Sequence, residues 1–183
     1  GMVLFSFSMV WKRRRDHPNS AAVLWSLGCT VLAFFGGGVW GLMHTPSFVN
    51  YYTHGTQVTA AHGHLAFFGA YVCLNLAIMT YAMPYLRGRE PYNQVLNMIS
   101  FWVMAGGMVF MTIVLTFAGV IQTHLQRVRG EDYMDVQDQI GLFYQMRLLA
   151  GIIAVIGVVI YLYAILVPRR DEVITRHTLN PAE

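Results

Sequence analysis

Apolar residues occupy four long stretches of this chain, and short polar segments separate them. The stretches cover residues 21–43, 60–86, 97–122 and 142–167. Each is long enough to cross a bilayer, for which a helix needs about 20 residues at a rise of about 1.5 Å per residue. Each is also apolar around the whole helix rather than along one face. The pattern predicts an all-α polytopic membrane protein with four complete transmembrane helices, in which residues 1–183 form a single membrane domain.

A fifth apolar segment, residues 2–11, is too short to cross a membrane. A positively charged cluster follows it, whereas a secretory signal peptide carries its positive charge before the apolar region. We therefore interpret the segment as the end of a truncated helix that enters the cytoplasm. On this interpretation the chain is the C-terminal portion of a larger protein, or one part of a split subunit.

Charged residues make up 11% of the chain, whereas soluble domains contain about 25%. The net charge of +3 does not indicate nucleic-acid binding, because basic residues at the ends of apolar stretches determine topology. Nine of the twelve belong to one side: Lys12, Arg13, Arg14, Arg15, Arg87, Arg89, Arg169, Arg170 and Arg176. The positive-inside rule places this side and the C-terminus in the cytoplasm. Residues 44–59 and 124–141 then face outward, and residues 131–138 and 169–183 are expected to be solvated connectors.

Two histidines, His62 and His64, lie near the outer end of the second stretch, which contains no Asp, Glu, Lys or Arg. Histidine inside a membrane span is rare and usually functional. Residues i and i+2 of a helix point about 200° apart, so the two rings cannot easily bind one metal ion. They can relay protons, bond to neighbouring helices, or each ligate a metal or haem iron on its own side. Gly63 between them lets a flat macrocycle approach the backbone.

Other residues have weaker interpretations. Small residues at 36–38 and 106–107 suit close helix packing, and packing is also the expected role of Cys29 and Cys73. Three aromatic residues follow the pair, and we expect them to pack against other helices rather than to contact a porphyrin: Phe67, Phe68 and Tyr71. Three further histidines lie at the outer edge, and we expect them not to form a metal site with the pair: His44, His54 and His124.

The segment HGTQVTAAHGHLAFFGAY resembles the catalytic subunit of the haem–copper oxidase superfamily, in which a His-x-His pair on helix ten ligates two different haems. The wider run YYTHGTQVTAAHGHLAFFGAYV is similar to one branch, the large catalytic subunits of bacterial cytochrome c-dependent nitric oxide reductases. The segments WKRRRDHPNSAAVLW and YMDVQDQIGLFYQMR share this likeness. The resemblance extends over nearly the whole chain, as the end of helix eight and helices nine to twelve of a twelve-helix fold.

The resemblance implies that His62 is the proximal ligand of a high-spin haem b and that His64 is an axial ligand of a low-spin haem b. Members of this family reduce two molecules of nitric oxide to nitrous oxide and water at the high-spin haem and a non-haem iron. The ligands of that iron come from earlier helices, which this chain does not contain. The implied partners are a membrane-anchored cytochrome c subunit, the N-terminal portion of the same subunit and the lipid of the bacterial inner membrane.

Alternatives remain at this point. An oxygen-reducing terminal oxidase subunit I of the same superfamily also has the His-x-His pair. A non-catalytic haem-binding membrane subunit is less favoured, since the apolar stretches contain no second histidine pair. The simplest alternative is a structural or transport bundle with two hydrogen-bonded histidines. Arg147, about one turn inside the fourth stretch, is expected to pair with an acidic residue of the outer loop or with a haem propionate.

Overall fold

The computed structural model describes residues 2–14, 17–88, 90 and 92–167. Within them the chain is helical, with no β-strand. The elements are α1 (Met2–Arg13), α2 (Ser20–His44), α3 (Ser47–Thr53), α4 (Gln57–Leu86), α5 (Gln94–Val128), α6 (Tyr133–Gln139) and α7 (Gly141–Leu166). The basic residues predicted at positions 15, 89, 169, 170 and 176, and the connector 169–183, lie outside the described residues.

Four of these helices, α2, α4, α5 and α7, are long and apolar enough to cross a membrane. This confirms the predicted polytopic all-α fold. The helices exceed the apolar stretches because polar residues begin or extend them: Asn19, Thr56 and Asn93 each accept a hydrogen bond from a backbone N–H of the first turn. Such capping satisfies donors that the helix itself leaves free.

Two short helices lie in the segments between the spans, where connectors were expected. Asp132 accepts a hydrogen bond from the backbone N–H of Met134 at 2.9 Å, and α6 begins directly after it. Residues 131–138 were predicted to be a solvated connector; most of them are exposed, and the segment also contains α6, which this aspartate caps. The segment after α2 likewise contains α3.

Glycines bring the spanning helices close together. A Cβ atom added at Gly36 of α2 would lie 2.6 Å from the backbone nitrogen of Ala66 in α4. One added at Gly107 of α5 would lie 2.8 Å from the backbone nitrogen of Ala154 in α7. Packing was predicted for both glycine runs, but only one residue of each is in such close contact.

Hydrogen bonds tie the helices at the end where α2 and α5 begin, which we call the basic end. The indole N–H of Trp25 donates to Asn97 Oδ1 at 2.7 Å, and both side chains are fully buried. The hydroxyls of Thr80 and Tyr161 lie 3.0 Å apart. Cys73 is buried in one hydrophobic cluster with Trp25 and Tyr161, as expected for a packing residue.

A second set of hydrogen bonds joins the helices at the opposite end, where α4 begins and which we call the histidine end. The backbone N–H of Gln57 donates to Gln122 Oε1 at 2.9 Å. The side-chain amide of Gln57 donates to the hydroxyl of Tyr144 at 3.0 Å, and that hydroxyl donates to the side-chain oxygen of Gln137. The start of α4, which carries both histidines of the pair, is thereby fixed to α5, α6 and α7.

Candidate functional site

The histidine pair lies in the second turn of α4, within about 11 Å of the helix start at Gln57 by the rise per residue. His62 and His64 point to different sides of the helix, as their spacing predicts. The Nδ1 atom of His62 lies 2.8 Å from the carbonyl oxygen of Gly36 in α2. The Nδ1 atom of His64 lies 2.7 Å from the carbonyl oxygen of Ala60 in its own helix.

These two contacts indicate that the Nδ1 atom of each ring carries a proton. A carbonyl oxygen only accepts hydrogen bonds, so each Nδ1 must carry the proton and donate it. An imidazole whose one N–H proton is on Nδ1 has its lone pair on Nε2, and neither Nε2 atom has a hydrogen-bond partner within the described residues. An imidazole oriented through Nδ1–H, with Nε2 free, is the form in which histidine ligates transition metals and haem iron.

The Gly36 carbonyl is free to accept because α2 contains a π-helical turn over Phe34–Val39. The backbone N–H of Trp40 donates to the carbonyl of Phe35, five residues earlier. Where a helix returns from this spacing to the usual four-residue spacing, one carbonyl is passed over. Gly36 follows Phe35, so the Gly36 carbonyl is the one that is passed over, and it accepts the hydrogen bond from His62.

A cavity of about 540 Å³ opens beside His64, between α4, α5 and α7. Its walls are apolar and include Gly63, Phe67, Met104, Met108 and Ala154. The volume falls in the range of about 300–1,000 Å³ that is typical of small-molecule and cofactor sites. An added Cβ at Gly63 would meet nothing within 4 Å, so the backbone there is open to a flat ligand. An apolar cavity with one free imidazole nitrogen fits a haem.

The aromatic residues after the pair divide between two roles. Phe67 and Phe68 line the cavity. Tyr71 instead stacks on Phe67, with ring centroids 5.4 Å apart and planes 28° from parallel, and is exposed. The sequence did not distinguish these positions because all three are aromatic residues of one apolar run.

The ring of His62 extends from α4 toward the last turns of α2. A Cβ added at Gly41 would be 3.4 Å from its Cε1 atom. The ring of His44 lies 5.5 Å from the His62 ring, between centroids, with 31° between the planes. His44 was predicted not to form a metal site with the pair, and the structure places it beside His62. No spacing along the chain reveals this contact, because it depends on how α2 crosses α4.

The other candidates lie apart. His54 and His124 are exposed, and the part of the chain that the structure describes contains no cluster of three His, Cys, Asp or Glu side chains able to hold a metal ion. Arg147 is also exposed. The acidic partner expected for it is not found among the described residues, where the ion pair that forms joins Arg129 and Glu131 at 3.2 Å.

The chain is similar to known proteins over most of its length. Residues 1–153 match the family described as cytochrome c and quinol oxidase polypeptide I. The chain is 49% identical over 171 residues to a nitric oxide reductase subunit of Stutzerimonas stutzeri, covering 89% of this chain and 36% of that protein. It is 23% identical over 157 residues to cytochrome c oxidase subunit 1 of Thermus thermophilus, covering 85% and 27% respectively. The chain thus spans between about a quarter and about a third of the length of the curated relatives it matches.

Proposed function

Because the chain belongs to the cytochrome c and quinol oxidase polypeptide I family, we propose that it is the haem-ligating part of a nitric oxide reductase catalytic subunit. The observation that carries the proposal is the histidine pair on α4, whose two rings face different neighbours with both Nε2 atoms free. The higher identity to a nitric oxide reductase subunit than to an oxidase subunit supports nitric oxide as the substrate.

In this proposal His62 ligates a high-spin haem b and His64 a low-spin haem b. The apolar cavity beside His64 supports the second assignment. The bound haems supply the one-electron chemistry, and the protein supplies position and environment. The Gly36 and Ala60 carbonyls hold the two Nδ1–H groups, so each Nε2 keeps its lone pair. Since only Gly63 separates the two ligands, one short piece of helix sets the distance between the two irons.

The described residues make half of each site at most. The reduction of two molecules of nitric oxide to nitrous oxide and water also needs a non-haem iron, a second axial ligand for the low-spin haem, and an electron donor. We propose that the N-terminal portion of the same subunit supplies the first two, and a membrane-anchored cytochrome c subunit the third. The complex lies in the bacterial inner membrane, with the C-terminus of this chain in the cytoplasm.

Single substitutions in the full-length protein test the two ligand assignments. His64→Ala should remove the six-coordinate low-spin absorption and leave a five-coordinate haem that binds carbon monoxide. His62→Ala should do the reverse, because each imidazole serves a separate iron. His54→Ala is the matched control, since His54 is exposed and outside the site. If folded His62→Ala and His64→Ala proteins keep the spectra of the unsubstituted protein, the proposal is wrong.

The second candidate, an oxygen-reducing oxidase subunit I, is supported by the oxidase relative and by the description of the matching family. Elemental analysis of the purified full-length protein distinguishes the two. A nitric oxide reductase should contain non-haem iron and no copper, and should consume nitric oxide. Copper in proportion to the haem, together with oxygen consumption, would favour the oxidase. Haem binding without turnover of either gas would identify a non-catalytic subunit.

A further inference from the structure

The orientation of the His62 ring needs more than one constraint. The torsion that turns a histidine ring about its Cβ–Cγ bond has broad, shallow minima. The hydrogen bond from Nδ1 to the Gly36 carbonyl fixes one atom, but hydrogen bonds tolerate a wide range of angles. The Nε2 lone pair lies in the plane of the ring. Rotation of the ring about the Cβ–Cγ bond therefore turns this lone pair away from an iron.

His44 lies where a second constraint is needed. Its ring lies beside that of His62, 5.5 Å away between centroids and with 31° between the planes. Its own Nδ1 lies 2.8 Å from the carbonyl oxygen of Trp40, one turn earlier in α2. That carbonyl requires an Nδ1–H donor, and the bond holds the His44 ring against α2. Its Nε2 atom is buried and has no partner within the described residues.

We propose that His44 is a positioning residue for His62, whose fixed ring forms a wall that limits rotation of the His62 imidazole. This inference rests on the proposed haem ligation by His62. The Gly36 carbonyl holds the Nδ1 edge of the His62 ring, and the His44 ring lies beside it. The role depends on the flat shape of the His44 side chain and not on its free nitrogen, so a phenyl ring should replace it better than a polar chain.

The test compares His44→Ala, His44→Phe, His44→Asn and His44→Gln in the full-length protein. Two readouts are used: occupancy of the carbon monoxide-binding haem, and the iron–histidine stretching band in resonance Raman spectra. His44→Ala should broaden and shift this band and weaken haem retention roughly 10- to 100-fold, the usual effect of losing a group that orients a metal ligand. His44→Phe should recover most of the occupancy and a narrow band.

The polar variants separate this role from two others. Asparagine keeps a donor near the Nδ1 position, so recovery by His44→Asn alone would mean that the bond to Trp40 matters and the wall does not. Glutamine keeps a polar group near the Nε2 position, so recovery by His44→Gln alone would mean a direct polar contact with the cofactor. Either result overturns the proposal. So does an unchanged His44→Ala protein, or failure of His44→Phe to recover.

The low-spin spectrum serves as the internal reference, because His64 lies on the other side of α4 and should be unaffected by substitutions at His44. His62→Ala is measured in parallel. If it leaves the high-spin haem in place, the proposed function has failed. If it removes that haem while His44→Ala leaves haem retention and the stretching band intact, only the positioning role has failed.

Discussion

The two histidines of the pair depend on different parts of the molecule. His64 donates to a carbonyl one turn earlier in its own helix, so its orientation follows from α4 alone. His62 donates to the Gly36 carbonyl of α2, so its orientation depends on how two helices cross. A change in the contact between α2 and α4 is therefore expected to disturb His62 and to spare His64.

A second prediction at the scale of residues concerns the buried hydrogen bond between Trp25 and Asn97 at the basic end. Trp25→Phe removes the donor to Asn97 Oδ1, and Asn97 Nδ2 already lacks a partner within the described residues. An unsatisfied buried polar group costs about 1–3 kcal/mol. The midpoint of thermal unfolding in detergent should fall for Trp25→Phe. Trp102→Phe is the control, because Trp102 is 66% exposed, and equal shifts for both variants would contradict this account.

At the scale of elements, the four spans could be predicted because burial in lipid requires long apolar stretches, and composition alone shows these. The π-helical turns over Phe34–Val39 and Phe68–Val72 could not be predicted from the sequence. A change from four-residue to five-residue hydrogen bonding leaves the apolar pattern as it was. The same holds for α3, seven residues long, which is too short for a helical period to appear.

The crossing of α2 and α4 can be tested through the glycines of the π-helical turn. In Gly36→Ala the new methyl group would lie 2.6 Å from the backbone nitrogen of Ala66 and 2.7 Å from the carbonyl carbon of Leu65. Backbone atoms cannot rotate away, so the helices must separate and the bond from His62 to the Gly36 carbonyl must lengthen. We expect loss of the carbon monoxide-binding haem with the low-spin spectrum retained, measured by optical spectroscopy.

Gly37→Ala is the matched control for this experiment. The nearest atom to its added Cβ is the Cβ of Ala66 at 4.0 Å, an ordinary van der Waals contact. Both substitutions raise helix propensity equally, so a general effect on α2 would appear in both. Haem spectra that change to the same extent in Gly36→Ala and Gly37→Ala would show that the close approach at Gly36 does not set the His62 geometry.

Across the whole molecule, hydrogen bonds join the helices at the two ends and close glycine contacts join them in between. His62 and His64 could be selected from the sequence because no charged side chain shares their span. His44 could not, because a histidine at the edge of a span is commonly solvated. Its importance follows from a tertiary contact that the linear sequence does not contain. The Gly36 carbonyl is a backbone group, so no residue pattern indicates it.

The orientation of the whole chain across the membrane is the last prediction. The sequence predicts nine of the twelve Lys and Arg residues on one side of the membrane, and the described ones among them, Lys12, Arg13, Arg14 and Arg87, flank the spans at the basic end. The positive-inside rule places that side in the cytoplasm. His54→Cys, an exposed position between α3 and α4, should react with a membrane-impermeant maleimide in intact spheroplasts. Glu90→Cys, an exposed position between α4 and α5, should react only after permeabilisation. The unsubstituted protein controls for Cys29 and Cys73, which lie within spans. The reverse labelling pattern would place the histidine end in the cytoplasm, where a donor from the outer side has no access to the haems.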